Sequence, residues 1–141
     1  MAAVGNTVNT FLWPVSGKLT SDYGFRTNPV TGQYCMHGGI DIGANTGTPI
    51  MCAYDGRVTA AGYSDSYGYY IIVKHNDNVE TLYGHCSELV AREGEYVKRG
   101  ETVALVGSTG RSTGAHLHFE IRVGGCRIDP RWILGDQTTA V

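Results

Sequence analysis

At 141 residues the chain has enough length for one domain with its own hydrophobic core and too little for two of ordinary size. A hydrophobic fraction of 42% with 17% charged residues is the composition of a soluble globular protein, and a formal net charge of -2 gives no basic footprint for a nucleic-acid partner. The 20 glycines, about twice the usual share, point to a chain rich in turns.

The start, Met1 to Thr7, lacks the basic and apolar regions of a secretory signal, and no run of about 18 apolar residues follows it. Neither a signal peptide nor a membrane span is expected in the sequence given. A single domain is expected over residues 1–141, with a core over about 11–134 and short tails of polar or small residues.

No window sustains apolar spacing of three and four, and turn residues interrupt the chain roughly every 6 to 12 positions, the pattern of an all-β domain with little helix. In chain order the predicted strands are Gly56–Ala61, Tyr69–His75, Val79–His85, Thr102–Val106 and His116–Val123. Asn76-Asp77-Asn78 joins the second and third as a hairpin, because Asn and Asp tolerate the left-handed turn conformation. His75 ends its strand without a partner at ligand spacing and reads as structural.

Cys35, Cys52, Cys86 and Cys126 are scattered with no Cys-x-x-Cys pair, which argues against a thiolate zinc site. They are expected as free thiols or buried small hydrophobes rather than disulfides. Cys35 and Cys86 lie near His37 and His85, but no local signature of a cysteine nucleophile accompanies them.

The chemistry concentrates in the last predicted strand. Leu117, Phe119, Ile121 and Val123 alternate with His116, His118, Glu120 and Arg122, so one face builds core and the other presents two imidazoles in the same direction. Strand geometry alone allows either histidine to hold a metal. A second cluster is His37-Gly38-Gly39-Ile40-Asp41. Fully extended, its His and Asp would stand about 13 Å apart, too far to share a zinc ion, so the chain must bend, and Gly38-Gly39 supplies the bend. Alternation along the third predicted strand puts Thr81, Tyr83 and His85 on one face. Together these clusters provide the His and carboxylate ligands of a zinc site and spare acid–base groups.

These clusters and their settings resemble the lysostaphin-type (LytM-type) zinc peptidoglycan endopeptidases. The resemblance runs from Trp13-Pro14-Val15 through Ser21-Asp22-Tyr23-Gly24-Phe25-Arg26, the His37–Asp41 cluster, Asp55-Gly56-Arg57-Val58 and Thr81–His85, to Gly107-Ser108-Thr109-Gly110 and Ser112–Glu120. It implies an antiparallel sheet flooring a catalytic groove, with loops at 20–36 and 61–69 as walls. His37, Asp41 and His118 would bind one Zn2+ per chain and leave a fourth position for water. Zinc there lowers the pKa of water toward about 7.

On the same resemblance His116 fits the general base and His85 a donor to the oxyanion, roles that can be shared or exchanged. Glu120 reads as a solvated or salt-bridged strand residue, with orientation of a ligand imidazole as the alternative. Tyr23, Tyr63, Tyr67, Tyr69 and Tyr83 could line a groove but read first as packing, and no substrate subsite is assigned. The resemblance implies a monomeric, extracytoplasmic endopeptidase cutting peptide cross-links of peptidoglycan. The rival expectation is a catalytically silent wall-binding or hydrolase-activating module of the same fold.

Overall fold

Short apolar and β-branched runs separated by turn residues pair into an antiparallel sheet. The computed structural model describes residues 11–27 and 34–134. Its strands are β1 (Leu19–Ser21), β2 (Gly24–Thr27), β3 (Tyr34–His37), β4 (Ile40–Gly43), β5 (Pro49–Met51) and β6 (Gly56–Ser64). They continue with β7 (Gly68–Lys74), β8 (Val79–Leu89), β9 (Tyr96–Val97), β10 (Thr102–Val106), β11 (His116–Val123) and β12 (Cys126–Ile128), followed by the short helix α1 (Arg131–Leu134). The main sheet runs β1-β4-β11-β8-β7-β6-β9, with β10 paired to β5 and β8, and β12 paired to β11. β2 and β3 form a separate hairpin. The all-β expectation holds, and no described helix is long and apolar enough to cross a membrane.

The alternation read in β11 is realised residue by residue. Leu117, Phe119 and Ile121 are wholly buried, packed with Ile40 and Ile42 of β4, Ile71 and Val73 of β7 and Tyr83 of β8. Each such side chain contributes about 1.5–3 kcal/mol by leaving water, so the strand carrying the histidines is among the most firmly anchored. Val123 reaches the edge and is exposed.

The predicted strands all form, with two extending further than expected: β6 continues to Ser64 and β8 to Leu89. At the β7–β8 hairpin the turn differs from expectation in mechanism. His85 is the one described non-glycine residue at positive φ, so Asn76-Asp77-Asn78 uses no left-handed residue. Asn76 Oδ1 instead accepts from the backbone N–H of Asn78 and Val79, at 2.8 and 3.0 Å, a side chain imitating a turn.

The loops expected as walls are more ordered than their composition suggests. Segment 20–36 contributes β1 and the β2–β3 hairpin, and 61–69 is mostly β6 and β7 around a turn at Asp65–Tyr67. The 28–33 part of the first segment lies outside the described residues. Cys52 and Cys86 are buried and Cys126 exposed, all three as free thiols; the Cys35 side chain lies outside the described set.

Candidate metal centre

Two antiparallel pairings assemble the centre. β4 lies beside β11 with Asp41 opposite His118, and β8 flanks the other side with Gly84 opposite His118. His37, at the end of β3, reaches the same point because the chain turns back through Gly38-Gly39 into β4. Neither glycine has positive φ, so the bend itself does not demand them. Proximity does. A Cβ at Gly39 would stand 2.4 Å from the Phe119 carbonyl oxygen and 3.1 Å from His118 Cε1.

The result is a cluster of three donor atoms. His118 Nδ1 lies 2.9 Å from Asp41 Oδ1, His37 Nε2 lies 3.3 Å from the same oxygen, and the two imidazole nitrogens are 3.2 Å apart. All three residues are buried, and their ligand atoms lie within 4.8 Å of one another. The outer nitrogens are already committed. His37 Nδ1 faces the Asp22 carbonyl oxygen at 2.9 Å and His118 Nε2 faces Glu120 Oε2 at 2.9 Å, both acceptors, so both outer nitrogens carry hydrogen.

The inner nitrogens of neutral imidazoles would then present lone pairs to each other and to a carboxylate. Such an arrangement calls for a cation or a proton at its centre. Burial lowers the His118 pKa, but hydrogen bonds to Asp41 and Glu120 outweigh it and raise the group above its usual value. For Asp41, burial raises the pKa, yet His118 and His37 hold the carboxyl far below the ordinary range. Two imidazoles and one carboxylate are a donor set that suits zinc, and the site can hold a metal ion.

Glu120 is wholly buried rather than solvated, and the salt-bridged form of the expectation holds, with Arg122 as the partner. Its Oε2 takes His118 Nε2–H and the Tyr67 hydroxyl, the latter at 2.6 Å, while Arg122 donates from Nε and Nη2 to Oε1 at 3.1 and 2.9 Å. Burial raises its pKa, and these partners more than offset that, bringing the carboxyl to about 2. Tyr67 is likewise not simple packing: it stacks on His118 with ring centroids 5.6 Å apart and lines the groove. Alternation along the chain could not reveal Tyr67, which sits in a turn. Tyr83, by contrast, is core, its hydroxyl accepting from Thr81 Oγ1 and Ala53 N.

His85 and His116 stand beside the cluster. Their rings are 4.8 Å apart between centroids, and His116 Nε2 is 3.7 Å from Asp41 Oδ1. His85 does not share a face with Thr81 and Tyr83 as alternation predicts. Those two point into the core, and a backbone φ of 62° at His85 turns its side chain to the groove instead. This conformation is uncommon outside glycine and costs about 1–3 kcal/mol. His85 Nδ1 faces the Thr109 carbonyl at 2.7 Å and His116 Nδ1 the Gly114 carbonyl at 2.8 Å, so both inner nitrogens are Nε2. Burial, opposed by the Thr109 carbonyl, takes the His85 pKa down to about 4 and keeps it neutral at pH 7.

His75 is structural: Nδ1 meets the Asp55 carbonyl and Nε2 the Thr81 hydroxyl. The groove above the cluster has a volume of about 830 Å³. Its walls include Thr20, Ser21, Met36, Ser66 and Tyr67 from the expected segments, and also Arg111–Ala115, a wall that composition did not single out.

The family model for peptidase family M23 matches residues 35–130, which contain every residue of this cluster. The chain belongs to peptidase family M23. It is 42% identical over 113 residues to the DD-carboxypeptidase/endopeptidase Mpg of Neisseria meningitidis serogroup B, covering 80% of this chain but 26% of Mpg. Among solved structures it resembles a zinc containing peptidase from Vibrio cholerae, with a TM-score of 0.79 and 36% identity over 85% of this chain and 39% of that one. The lysostaphin catalytic domain from Staphylococcus simulans matches with a TM-score of 0.77 and 32% identity, over 92% of this chain and 96% of that one. The M23 relatives also include the murein hydrolase activator NlpD of Escherichia coli, 38% identical over 87% of this chain and 31% of NlpD. This M23 chain thus spans about a quarter of Mpg and most of the lysostaphin domain.

Proposed function

We propose that this chain is a zinc-dependent endopeptidase that hydrolyses peptide cross-links of bacterial peptidoglycan outside the cytoplasm, as a single monomeric catalytic domain. The observation that carries the reading is the pair of histidines outside the ligand set. His85 and His116 each have Nδ1 tied to a carbonyl, which leaves Nε2 for a reacting group beside His37, Asp41 and His118. A metal held only to brace the fold would not require two such bases next to it.

His37 Nε2, Asp41 Oδ1 and His118 Nδ1 would hold the zinc ion, which when bound would supply Lewis-acid polarisation of the scissile carbonyl and a water nucleophile near neutral pH. The remaining steps belong to side chains. His116 accepts the proton of the attacking water at Nε2, while the Gly114 carbonyl at Nδ1 fixes its tautomer. Neutral His85 has the same tautomer, so its Nε2 is an acceptor in the free site; it donates to the oxyanion and leaving amine only when it takes the attacking water's proton in place of His116, the two histidines sharing that one proton. Glu120 and Tyr67 hold the His118 ring in orientation.

The second reading, a wall-binding or hydrolase-activating module, draws support from the likeness to NlpD. The filled set of three ligands and two bases favours catalysis over it. Digestion of purified cell walls by zinc-loaded protein, with new termini identified by mass spectrometry, tests the choice. New peptide amino termini that disappear on chelation and return with zinc are expected; intact walls after prolonged incubation would favour the activator.

A further inference from the structure

Among the described residues, the charged ones lining the groove are Asp41, Glu120, Arg111 and Arg127. The two carboxylates are buried and engaged, Asp41 in the metal cluster and Glu120 with His118, Tyr67 and Arg122. The two guanidinium groups are the exposed ones, so a chain of net charge -2 presents a cationic groove to whatever enters.

Arg127 is the better placed of the two. It lies on β12 directly opposite Arg122 of β11, two positions beyond Glu120 on the histidine face. Its guanidinium lies flat over Gly38, the neighbour of His37: a Cβ there would stand 2.5 Å from Nη1 and 2.6 Å from both Cζ and Nε. Glu120 pairs with it only loosely, as an ion pair without a hydrogen bond. Nη1 is 3.9 Å from Glu120 Oε2, beyond hydrogen-bond reach, and both carboxylate oxygens have closer donors. Half-exposed, Arg127 therefore holds most of its donors open beside the metal centre. A planar guanidinium in that state suits a carboxylate, which it can grip with two parallel hydrogen bonds.

We propose that Arg127 pairs with a substrate carboxylate next to the scissile bond and so selects carboxylate-bearing stem-peptide cross-links over neutral oligoglycine bridges. This rests on the peptidase reading given above. Arg127 acts as a specificity residue: the pairing is made in the bound ground state and persists through the reaction, so its loss appears in KM more than in kcat.

The test uses the zinc-loaded full chain and three substrates: a cross-linked stem-peptide dimer with free carboxyls, the same dimer with those carboxyls amidated, and an oligoglycine peptide. The free-carboxyl dimer is expected to exceed the amidated one in kcat/KM by roughly ten- to a hundredfold, the range of one charged hydrogen-bonded pair. Arg127→Gln should erase that preference through KM, at unchanged zinc content, and Arg127→Lys should retain part of it. A parent that prefers the amidated dimer or oligoglycine overturns the proposal, as does Arg127→Gln with the parental preference intact. If the zinc-loaded parent cleaves none of the three, the peptidase reading fails by itself. Calorimetric affinities for the free and amidated dimers then decide the pairing: a preference lost in Arg127→Gln upholds it, and equal affinities overturn it.

Discussion

Glu120 Oε2 stands 2.9 Å from His118 Nε2, on the opposite edge of the ring from the 2.9 Å contact between His118 Nδ1 and Asp41 Oδ1. The imidazole is thus gripped from behind by a buried carboxylate while its front nitrogen faces the donor cluster. Glu120→Gln removes the charge that favours this ring orientation and keeps the side-chain shape. Zinc affinity is expected to fall about 10- to 100-fold with the fold retained. Competition with a chromogenic chelator, beside circular dichroism, measures both. Unchanged affinity would mean that Glu120 serves only as the partner of Arg122.

A second expectation concerns protons. His118 holds its proton above the ordinary histidine value of 6.5 because Asp41 and Glu120 outweigh the cost of burial. Zinc needs the same Nδ1 as a lone pair, so binding near pH 7 should expel about one proton, and affinity should rise with pH. Calorimetric titration in buffers of different ionisation enthalpy reads the proton count directly. Equal heats across buffers would place no proton on the metal-free cluster.

The thiols should divide by burial. Burial pushes the Cys52 thiol up to about 11 and Cys86 up to about 12, so neither presents thiolate at neutral pH, whereas Cys126 is exposed. A thiol reagent on the folded protein should label Cys126 promptly and reach Cys52 and Cys86 only after unfolding. Peptide mapping of the adducts checks the order. Prompt labelling of Cys86 would reveal an opening of the β8–β10 region.

The sequence could place His116 and His118 because a strand has period two and the apolar face of β11 alternates without a fault. It could not place Asp41 opposite His118, since that depends on the register of β4, a long-range pairing with no local signature. Nor could alternation find His85. Its left-handed φ reverses the face at that residue, so a rule applied evenly along β8 groups it with two core side chains. The glycines of the His37–Asp41 cluster were legible as a bend, but their reason is the close approach to Phe119 and Arg127, visible only once β11 and β12 are in position. Tyr67 and Arg127 come from a turn and an edge strand, where no periodic pattern marks which side chains converge.

The division between ligand and base gives the last prediction. His116 and His118 occupy one face of β11, yet the metal-competent cluster takes His118 and leaves His116 outside, its Nε2 3.7 Å from Asp41 Oδ1. His118→Ala should therefore lose both zinc and turnover. His116→Ala should keep zinc and wall affinity while turnover falls about 100- to 10,000-fold, the usual cost of a missing general base. His85→Ala should also keep zinc, with a loss of roughly 100- to 1,000-fold from missing charge stabilisation in the transition state. It should gain no stability from removal of the imidazole, because alanine at φ 62° meets the same backbone cost; His85→Gly, freed of that cost, should be the more stable of the two. Zinc content by elemental analysis, wall binding by co-sedimentation and initial cleavage rate are measured for each variant beside the parent. Loss of zinc in His116→Ala as complete as in His118→Ala would place His116 in the coordination shell and leave His85 as the remaining candidate for the base.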